Sequence, residues 1–420
     1  MLGAGVAASV ACTGRDENTL RFWAMGSEGE IAPQLLAGFE RENPGVRLRI
    51  EQLPWSAAHE KLLTAVAGDA TPDLAQMGNT WLPEMAALGA LEPLQPWLAM
   101  APAIQPADYF EGIWRTNEVA GVTVGLPWYV DTRLLFVRRD LLHRAGVREM
   151  PTTWADWLLA LAALQASGVK TPLFLPVNEF EPLLALALQQ DEALLKDGGG
   201  RGNFAGAGFR RALNFYLQLF QRGFAPGMSG NTVANIWQEI GRGTFAFYIS
   251  GPWNIGEFKR RLPAELQGAW ATAPLPGPTG PGASVAGGAS LVMFKRSQVK
   301  PLAWKLISYL SRPAVQQDFY RLTGNLPPRR STWALPLVGQ AEGTTLADDP
   351  HAQAFAQQLE RVRATPGVPE WERIAQEMQL AAARAAFAGV SVDETVRKLD
   401  ARVDGILEKR RWMLTRSAVQ

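Results

Sequence analysis

The residue types that catalyse reactions or ligate metals are thinly spread in this chain. Its three histidines, His59, His143 and His351, stand far apart, and neither HExxH nor CxxC spacing occurs, so no metal site is expected. There is no GxSxG elbow and no GxxxxGK[ST] loop. The stretch GGGRGNFAGAG at 198–208 has the glycines of a nucleotide fingerprint. It follows the polar, helix-like QQDEALLKD instead of a strand, which reads as a flexible loop, and no cofactor is expected. Carboxylates are plentiful. The two partners of a glycoside-hydrolysing pair would lie far apart in the chain, so linear spacing neither identifies nor excludes one.

What rises above this background is aromatic. The chain has 15 Trp against 6 Tyr and 18 Phe. Trp23, Trp55, Trp81, Trp128 and Trp253 fall where strands are expected to end, in the company of Glu28, Asn79, Asp131 and Asn254. Ligands of open α/β sheets bind outside the carboxyl ends of the strands. A Trp there offers a flat apolar face while its N–H stays wet. The C–H faces of a sugar ring fit such a surface, and Asp, Glu, Asn and Arg around it can pair the hydroxyls. Core packing is the competing reading for each Trp.

The elements that would position these groups alternate. Leu20–Met25 reads as a strand, Gly26 and Gly29 as an opening turn, and 30–42 as a helix with Ile31, Leu35 and Phe39 on its buried face. Pro44 stops it. VRLRIEQL alternates as a half-buried strand does. A helix bearing Leu62, Leu63 and Val66 follows, then a strand near 73–77 and a helix from Trp81. Strand–helix alternation predicts an α/β architecture with mostly parallel strands. Further along, Thr153 caps a helix with Asp156 three residues on, 209–220 forms another, and GTFAFYISGPW is a buried strand entering a loop. The Gly/Pro-dense 274–290 is expected to hold no regular element and to connect two units. Ser391 and Glu394 form a capping box for a last helix.

With 420 residues, 47% apolar and 19% charged, the chain exceeds one ordinary core. A net charge of +1 gives no electrostatic reason to expect nucleic acid. MLGAGVAASVACTG is small and apolar up to Cys12, the single cysteine. This resembles a bacterial lipoprotein signal with Cys12 as the lipidated residue, although basic residues are missing ahead of it and Ser9 replaces the usual Leu. An intrachain disulfide is impossible with one Cys.

Several stretches together resemble one family. FERENPGVRLRIEQLPW, GLPWYVDTRLLFVRRDLL, PTTWADW, GTFAFYISGPWNIGEF, GGASLVMFKRS, AWKLISYLSRPAVQQDFYRLTGNLPPRR and SVDETVRKLDARVDGIL are similar, in order, to the extracellular solute-binding proteins of bacterial carbohydrate ABC importers, maltose/trehalose type. The resemblance implies an α/β, two-lobed periplasmic-binding-protein-like fold with hinge-linked, discontinuous lobes. Lobe 1 would be 18–127 plus 287–329 and lobe 2 130–284 plus 331–420, after a signal-like segment 1–17. Hinge crossings would lie near 128–131 and 282–290. It also implies no catalysis, a sugar ligand, membrane permease subunits as partners, a monomer, and a periplasmic or lipid-anchored location.

Carried over residue by residue, the resemblance makes Glu28, Asn79, Tyr129, Asp131, Trp253, Gly287 and Gly288 ligand-binding. Arg329 would reach the ligand, with Arg330 as rival. Many relatives have Trp where this chain has Ala289, which implies either a differently shaped subsite or stacking from Trp237 or Trp371 instead. Trp128, one residue from Tyr129, is expected to point away and be structural. Asp131→Ala is expected to weaken binding about 10-fold or more and leave folding nearly unchanged; pairing with Arg133 is the plainer role for Asp131. The alternatives left open are a carbohydrate-active hydrolase with aromatic subsites, with Glu28 and Asp131 as the pair, and the same fold holding an amino acid, peptide or metal.

Overall fold

The computed structural model describes residues 17–227, 235–337 and 343–417. The expectation for Cys12 and its signal-like segment lies outside them. Among the described residues, no helix is long and apolar enough to cross a membrane.

The first half-unit begins β1 (Thr19–Met25), α1 (Gly26–Glu42), β2 (Arg47–Leu53), α2 (Trp55–Ala67), β3 (Leu74–Gly78) and α3 (Leu82–Ala87). Strand β1 passes into α1 with no turn between them, because Gly26 itself makes the bend at φ +51°. A Cβ there would stand 2.8 Å from the Trp55 ring, so only glycine fits. The expected Gly26–Gly29 turn is therefore the helix's first turn. β2 alternates exposed and half-buried residues as far as Glu51, as its sequence reads, buries Leu53, and forms the sheet edge.

The chain continues through β4 (Leu126–Asp131), which completes the first sheet, into β5 (Leu134–Arg138) of a second sheet. α4 (Trp154–Ala166), β6 (Leu173–Phe174), α5 (Glu181–Leu188), α6 (Ala207–Gln221), β7 (Phe247–Ser250), α7 (Trp253–Arg261) and β8 (Trp270–Ala273) follow. The chain then returns as β9 (Gly287–Met293) to the first sheet, where α8 (Lys300–Leu310) and α9 (Pro313–Thr323) pack. It ends on α10 (Trp371–Phe387), α11 (Val392–Ile406) and a helix over Glu408–Ser417. Thr153 accepts the Asp156 N–H at 3.1 Å and caps α4. Ser391 caps α11 through the Glu394 N–H at 3.2 Å, but the Glu394 carboxylate pairs with Lys398 instead of completing a capping box.

The strand order is β2-β1-β3-β9-β4 in one sheet and β8-β5-β7-β6 in the other. β1 pairs parallel with β2 and β3, and β7 with β6. The pairs β9–β3, β9–β4, β7–β5 and β8–β5 are antiparallel. The expectation of mostly parallel strands is thus corrected. β4 and β9 carry the chain between the sheets, so they meet one another head to tail.

The Gly/Pro-dense connection also holds more structure than expected, because β9 starts inside it at Gly287. A Cβ at Gly287 would lie 2.6 Å from the Asp131 carbonyl oxygen. At Gly288, with φ +133°, a Cβ would lie 2.3 Å from that of Tyr129. Glycine permits the backbones of the two crossings to touch. The loop at 198–208 likewise opens as a two-stranded hairpin, with Arg201–Gly202 paired to Leu195–Lys196. A third crossing is marked by the Val130 N–H donating to the Leu326 carbonyl at 3.0 Å.

Candidate functional site

The three crossings floor a cleft of about 670 Å³, within the range of small-molecule sites. Its walls come from segments hundreds of residues apart. Ser27 and Glu28 enter from the start of α1, Trp55 from the start of α2, and Asn79, Thr80 and Trp81 from the end of β3. Tyr129, Asp131 and Arg133 come from the first crossing, Glu181 from α5, Trp253 and Glu257 from α7, Gly287 and Gly288 from the second crossing, Asn325 from the third and Glu372 from α10. These are strand ends and helix starts, where side chains can leave a sheet and face a ligand.

Seven of the expected residues, Glu28, Asn79, Tyr129, Asp131, Trp253, Gly287 and Gly288, are brought together here. Glu28 is only 5% exposed. Its Oε1 accepts a hydrogen bond from Asn325 Nδ2 at 2.7 Å, and its Oε2 has no hydrogen-bond partner. Burial pushes its pKa up, against the backbone N–H of the helix start, the Asn325 amide, and the Tyr129 hydroxyl and Trp55 N–H, which lie near the carboxylate without making a well-formed hydrogen bond to Oε2. Asn79 Nδ2 donates to the Ala286 carbonyl at 2.8 Å, tying the end of β3 to the second crossing.

Tyr129 is buried and not an open platform. Its ring lies 5.9 Å from Phe319, and its hydroxyl accepts from Gln76 Nε2 at 3.3 Å. Trp128 is structural, as expected, stacked at 4.6 Å on the same Phe319. It does not point away from Tyr129, because a register shift leaves Trp128 as the extra residue between the Tyr129 and Pro127 pairings and breaks the alternation.

Asp131 does two things at once. It lines the cleft and accepts from Arg133 Nη1 at 2.6 Å. Arg133, whose side chain is 9% exposed, also donates to Glu181 at 3.0 Å and lies 4.9 Å from the Trp253 ring centre. Burial raises the Asp131 pKa and Arg133 opposes the rise. The two carboxylates beside Arg133 hold its own pKa above the ordinary value despite burial. One guanidinium therefore fixes the crossing carboxylate and the aromatic opposite it. This pairing argues that Asp131→Ala costs some stability, against the expectation that folding is nearly unchanged.

Trp55, 37% exposed, meets Trp81 edge to face at 5.6 Å, and both line the cleft. Trp81 lies against Gly78, where a Cβ would stand 3.2 Å from the ring. With Trp253 across the cleft, these rings supply the aromatic surface. Ala289 is 1% exposed, within the sheet opposite Gly78 and Tyr129. The substitutes expected for it lie elsewhere. Trp237 donates to Asn254 at 3.0 Å beneath the Arg261 guanidinium, and Trp371 is completely buried in the core.

Arg329 is likewise no cleft residue. Its three nitrogens donate to Asp108 at 2.6 Å, the Ser311 carbonyl at 2.7 Å and the Ala103 carbonyl at 2.8 Å, so the guanidinium pins the third crossing. Arg330 pairs with Glu360. The cleft residue of GNLPPRR is Asn325.

Sequence reasoning did not place Arg133, Glu181, Glu257, Arg260, Asn325 and Glu372 in the cleft. It noted Trp55 and Trp81 only as aromatics at element ends. Glu372 follows the buried Trp371 on α10. Burial raises its pKa, with Thr80 opposing, and its Oε1 is unpartnered. No group of three His, Cys, Asp or Glu among the described residues could hold a metal. The arrangement offers carboxylates, amides and rings for binding a polar, ring-shaped molecule. A raised carboxylate pKa also occurs in acid catalysts, so the electrostatics alone do not separate binding from hydrolysis.

Comparison with known proteins does. The model of the bacterial extracellular solute-binding protein family matches residues 25–317. The sugar-binding protein MalE from the phytopathogen Xanthomonas citri has a solved structure with a TM-score of 0.89, 54% identity, and coverage of 94% of this chain and 99% of that one. The GacH receptor of Streptomyces glaucescens, solved unliganded and with acarbose, shares 24% identity and the fold, at a TM-score of 0.78 with 93% and 98% coverage. The diacetylchitobiose binding protein DasA of Streptomyces coelicolor is 22% identical over 88% of both chains. The chain therefore belongs to the bacterial extracellular solute-binding proteins, in the two-lobed, maltose-type branch of carbohydrate importers, and is a binding protein rather than an enzyme.

Proposed function

We propose that this protein captures an oligosaccharide, with disaccharides such as maltose or trehalose as first candidates, and delivers it to an ABC importer. The observation that carries this reading is the cleft's composition. Trp55 and Trp81 face it from one side and Trp253 from the other, with the unpartnered Glu28 Oε2 between the crossings. Rings stack on sugar C–H faces, and a buried acceptor without a partner is a cost that a ligand hydroxyl removes.

In this reading Glu28, Asp131 and Asn79 pair hydroxyls, Gly287 and Gly288 let the sugar approach the backbone, and the lobes, roughly 18–127 with 287–329 and 130–284 with 331–420, close about the crossings. The permease would recognise the closed form of the monomer outside the cytoplasmic membrane, freely periplasmic or anchored through Cys12. Relatives that bind diacetylchitobiose (DasA) and maltodextrin (MdxE of Bacillus subtilis) support a glycan ligand. The test is a crystal structure of the protein soaked with maltose, trehalose and maltotriose in turn, with the soak liquor chromatographed. Intact sugar between Trp253 and Trp55/Trp81 is expected. Cleaved sugar, or sugar bound only elsewhere, would overturn the proposal.

A further inference from the structure

The cleft carries a charge imbalance that bears on which sugars it can hold, granted the proposed reading of it as the ligand site. Five carboxylates line it: Glu28, Asp131, Glu181, Glu257 and Glu372. Only two cationic side chains face them, Arg133 and Arg260. Both are already engaged. Arg133 is shared by Asp131 and Glu181. Arg260 pairs with Glu257, which also holds Arg261. Each guanidinium already faces a carboxylate, and the lining keeps three more carboxylates than cations, a surplus that opposes an anionic ligand.

Two of the carboxylates offer an unengaged acceptor, while the unpartnered donor Arg133 Nε belongs to a guanidinium already holding Asp131 and Glu181. Glu28, 95% buried by its 5% exposure, has Oε2 without a partner, and Glu372 has Oε1 without one. They come from opposite sheets' territory, Glu28 from the start of α1 and Glu372 from the start of α10. An ionised carboxylate can only accept hydrogen bonds. A molecule satisfying both must therefore present donors at two separated positions.

We propose that the cleft selects neutral or amino-bearing sugars against uronic and phosphorylated ones, with Glu28 and Glu372 as the two acceptors that hydroxyl or ammonium donors of the ligand must reach. Glu372 is then a specificity residue that the second lobe contributes. A like charge about 5 Å from one of these carboxylates, at the effective dielectric of partly buried pairs, weakens binding by roughly 100-fold or more.

The test starts from the neutral disaccharide that binds best in calorimetry. Its counterpart with one terminal primary hydroxyl oxidised to a carboxylate, and the counterpart with an amine there, are titrated into the wild type and into Glu372→Gln. The carboxylate form is expected to bind at least ~100-fold more weakly than the parent, and the amine form at least as tightly. Glu372→Gln, which removes charge and keeps shape, is expected to narrow the acid penalty about tenfold. Should that variant bind no sugar, Glu181→Gln gives the same reading, since an amide there can still accept from Arg133. The proposal is overturned if the acid binds within threefold of the parent, or if its penalty is the same in wild type and variant, which would make the loss one of shape. Failure of every neutral sugar to bind would instead overturn the proposed function.

Discussion

Asp131→Ala is the perturbation on which the structure speaks most specifically. Asp131 gives Arg133 one of its two charge-assisted hydrogen bonds, at 2.6 Å, and Glu181 gives the other, at 3.0 Å. Removing one partner of a fully buried pair costs about 3–5 kcal/mol. The Asp131 side chain is 25% exposed, so water softens the loss, and Glu181 remains. The variant also sheds the desolvation that raises the Asp131 pKa. A net destabilisation of ~1–2 kcal/mol follows, or about 2–8 °C in Tm for lobes of this size. Binding loses the direct acceptor, ~1–3 kcal/mol, or roughly 5- to 150-fold.

Part of that loss is expected to pass through Arg133 to Trp253, 4.9 Å away. A double-mutant cycle of Asp131→Ala with Trp253→Ala, read by calorimetry and denaturant titration, measures it. A coupling of at least ~0.5 kcal/mol is expected. Wild-type stability together with strict additivity would refute the argument that one guanidinium holds both groups.

Other consequences are as direct. Trp253→Ala alone removes a ligand-facing ring and is expected to weaken sugar binding by ~1–3 kcal/mol in a titration of the folded variant. Arg329→Ala removes one donor from the Asp108 carboxylate, which keeps Ser331, and one from each of two carbonyls. It is expected to cost ~2–4 kcal/mol of stability, with affinity per folded molecule changed less than threefold; a large affinity loss at unchanged stability would restore Arg329 to the cleft. Gly288→Ala demands φ +133° of an alanine and a Cβ 2.3 Å from the Tyr129 carbonyl oxygen. A loss of at least ~2 kcal/mol is expected in chemical denaturation, and a neutral result would mean that the two crossings are not in contact.

The pH dependence has a definite sign. Burial raises the pKa of Glu28, Asp131 and Glu372. Such groups add stability below their unfolded pKa and lose it as pH rises through the folded one. A sugar hydroxyl donating to them favours the ionised form. The Tm gain from saturating sugar is thus expected to grow from pH 4.5 to 7.5, with protons released on binding at the acid end. A gain that shrinks with pH would contradict this.

How much of this was legible in the sequence follows from what each signal depends on. Thr153 caps its helix as read, because the partner Asp156 N–H is three residues away. The run from Tyr129 to Asp131 reads as a crossing only through the family resemblance, because its residue types show that something other than a plain strand interior is there but not which sheet the chain enters next. The antiparallel β9 was hidden because Gly and Pro ordinarily end strands. Here glycines are what allow β9 to touch β4. Arg329 was misplaced for a similar reason. A basic residue in a motif does not display its partner, and Asp108 lies more than two hundred residues earlier. Asn325 lies four residues before Arg329 and Glu372 adjoins Trp371, and only the fold shows which residue of each stretch faces the cleft. The local part of the site was readable, and the part assembled from distant segments was not.

The central claim is that this cleft holds a sugar. The most direct measurement is isothermal titration calorimetry of the wild-type protein, freed of endogenous ligand by unfolding and refolding, against neutral mono-, di- and trisaccharides. One-to-one binding of at least one di- or trisaccharide at micromolar concentration is expected. Absence of heat from every sugar at millimolar concentration, with correctly refolded protein, would contradict it.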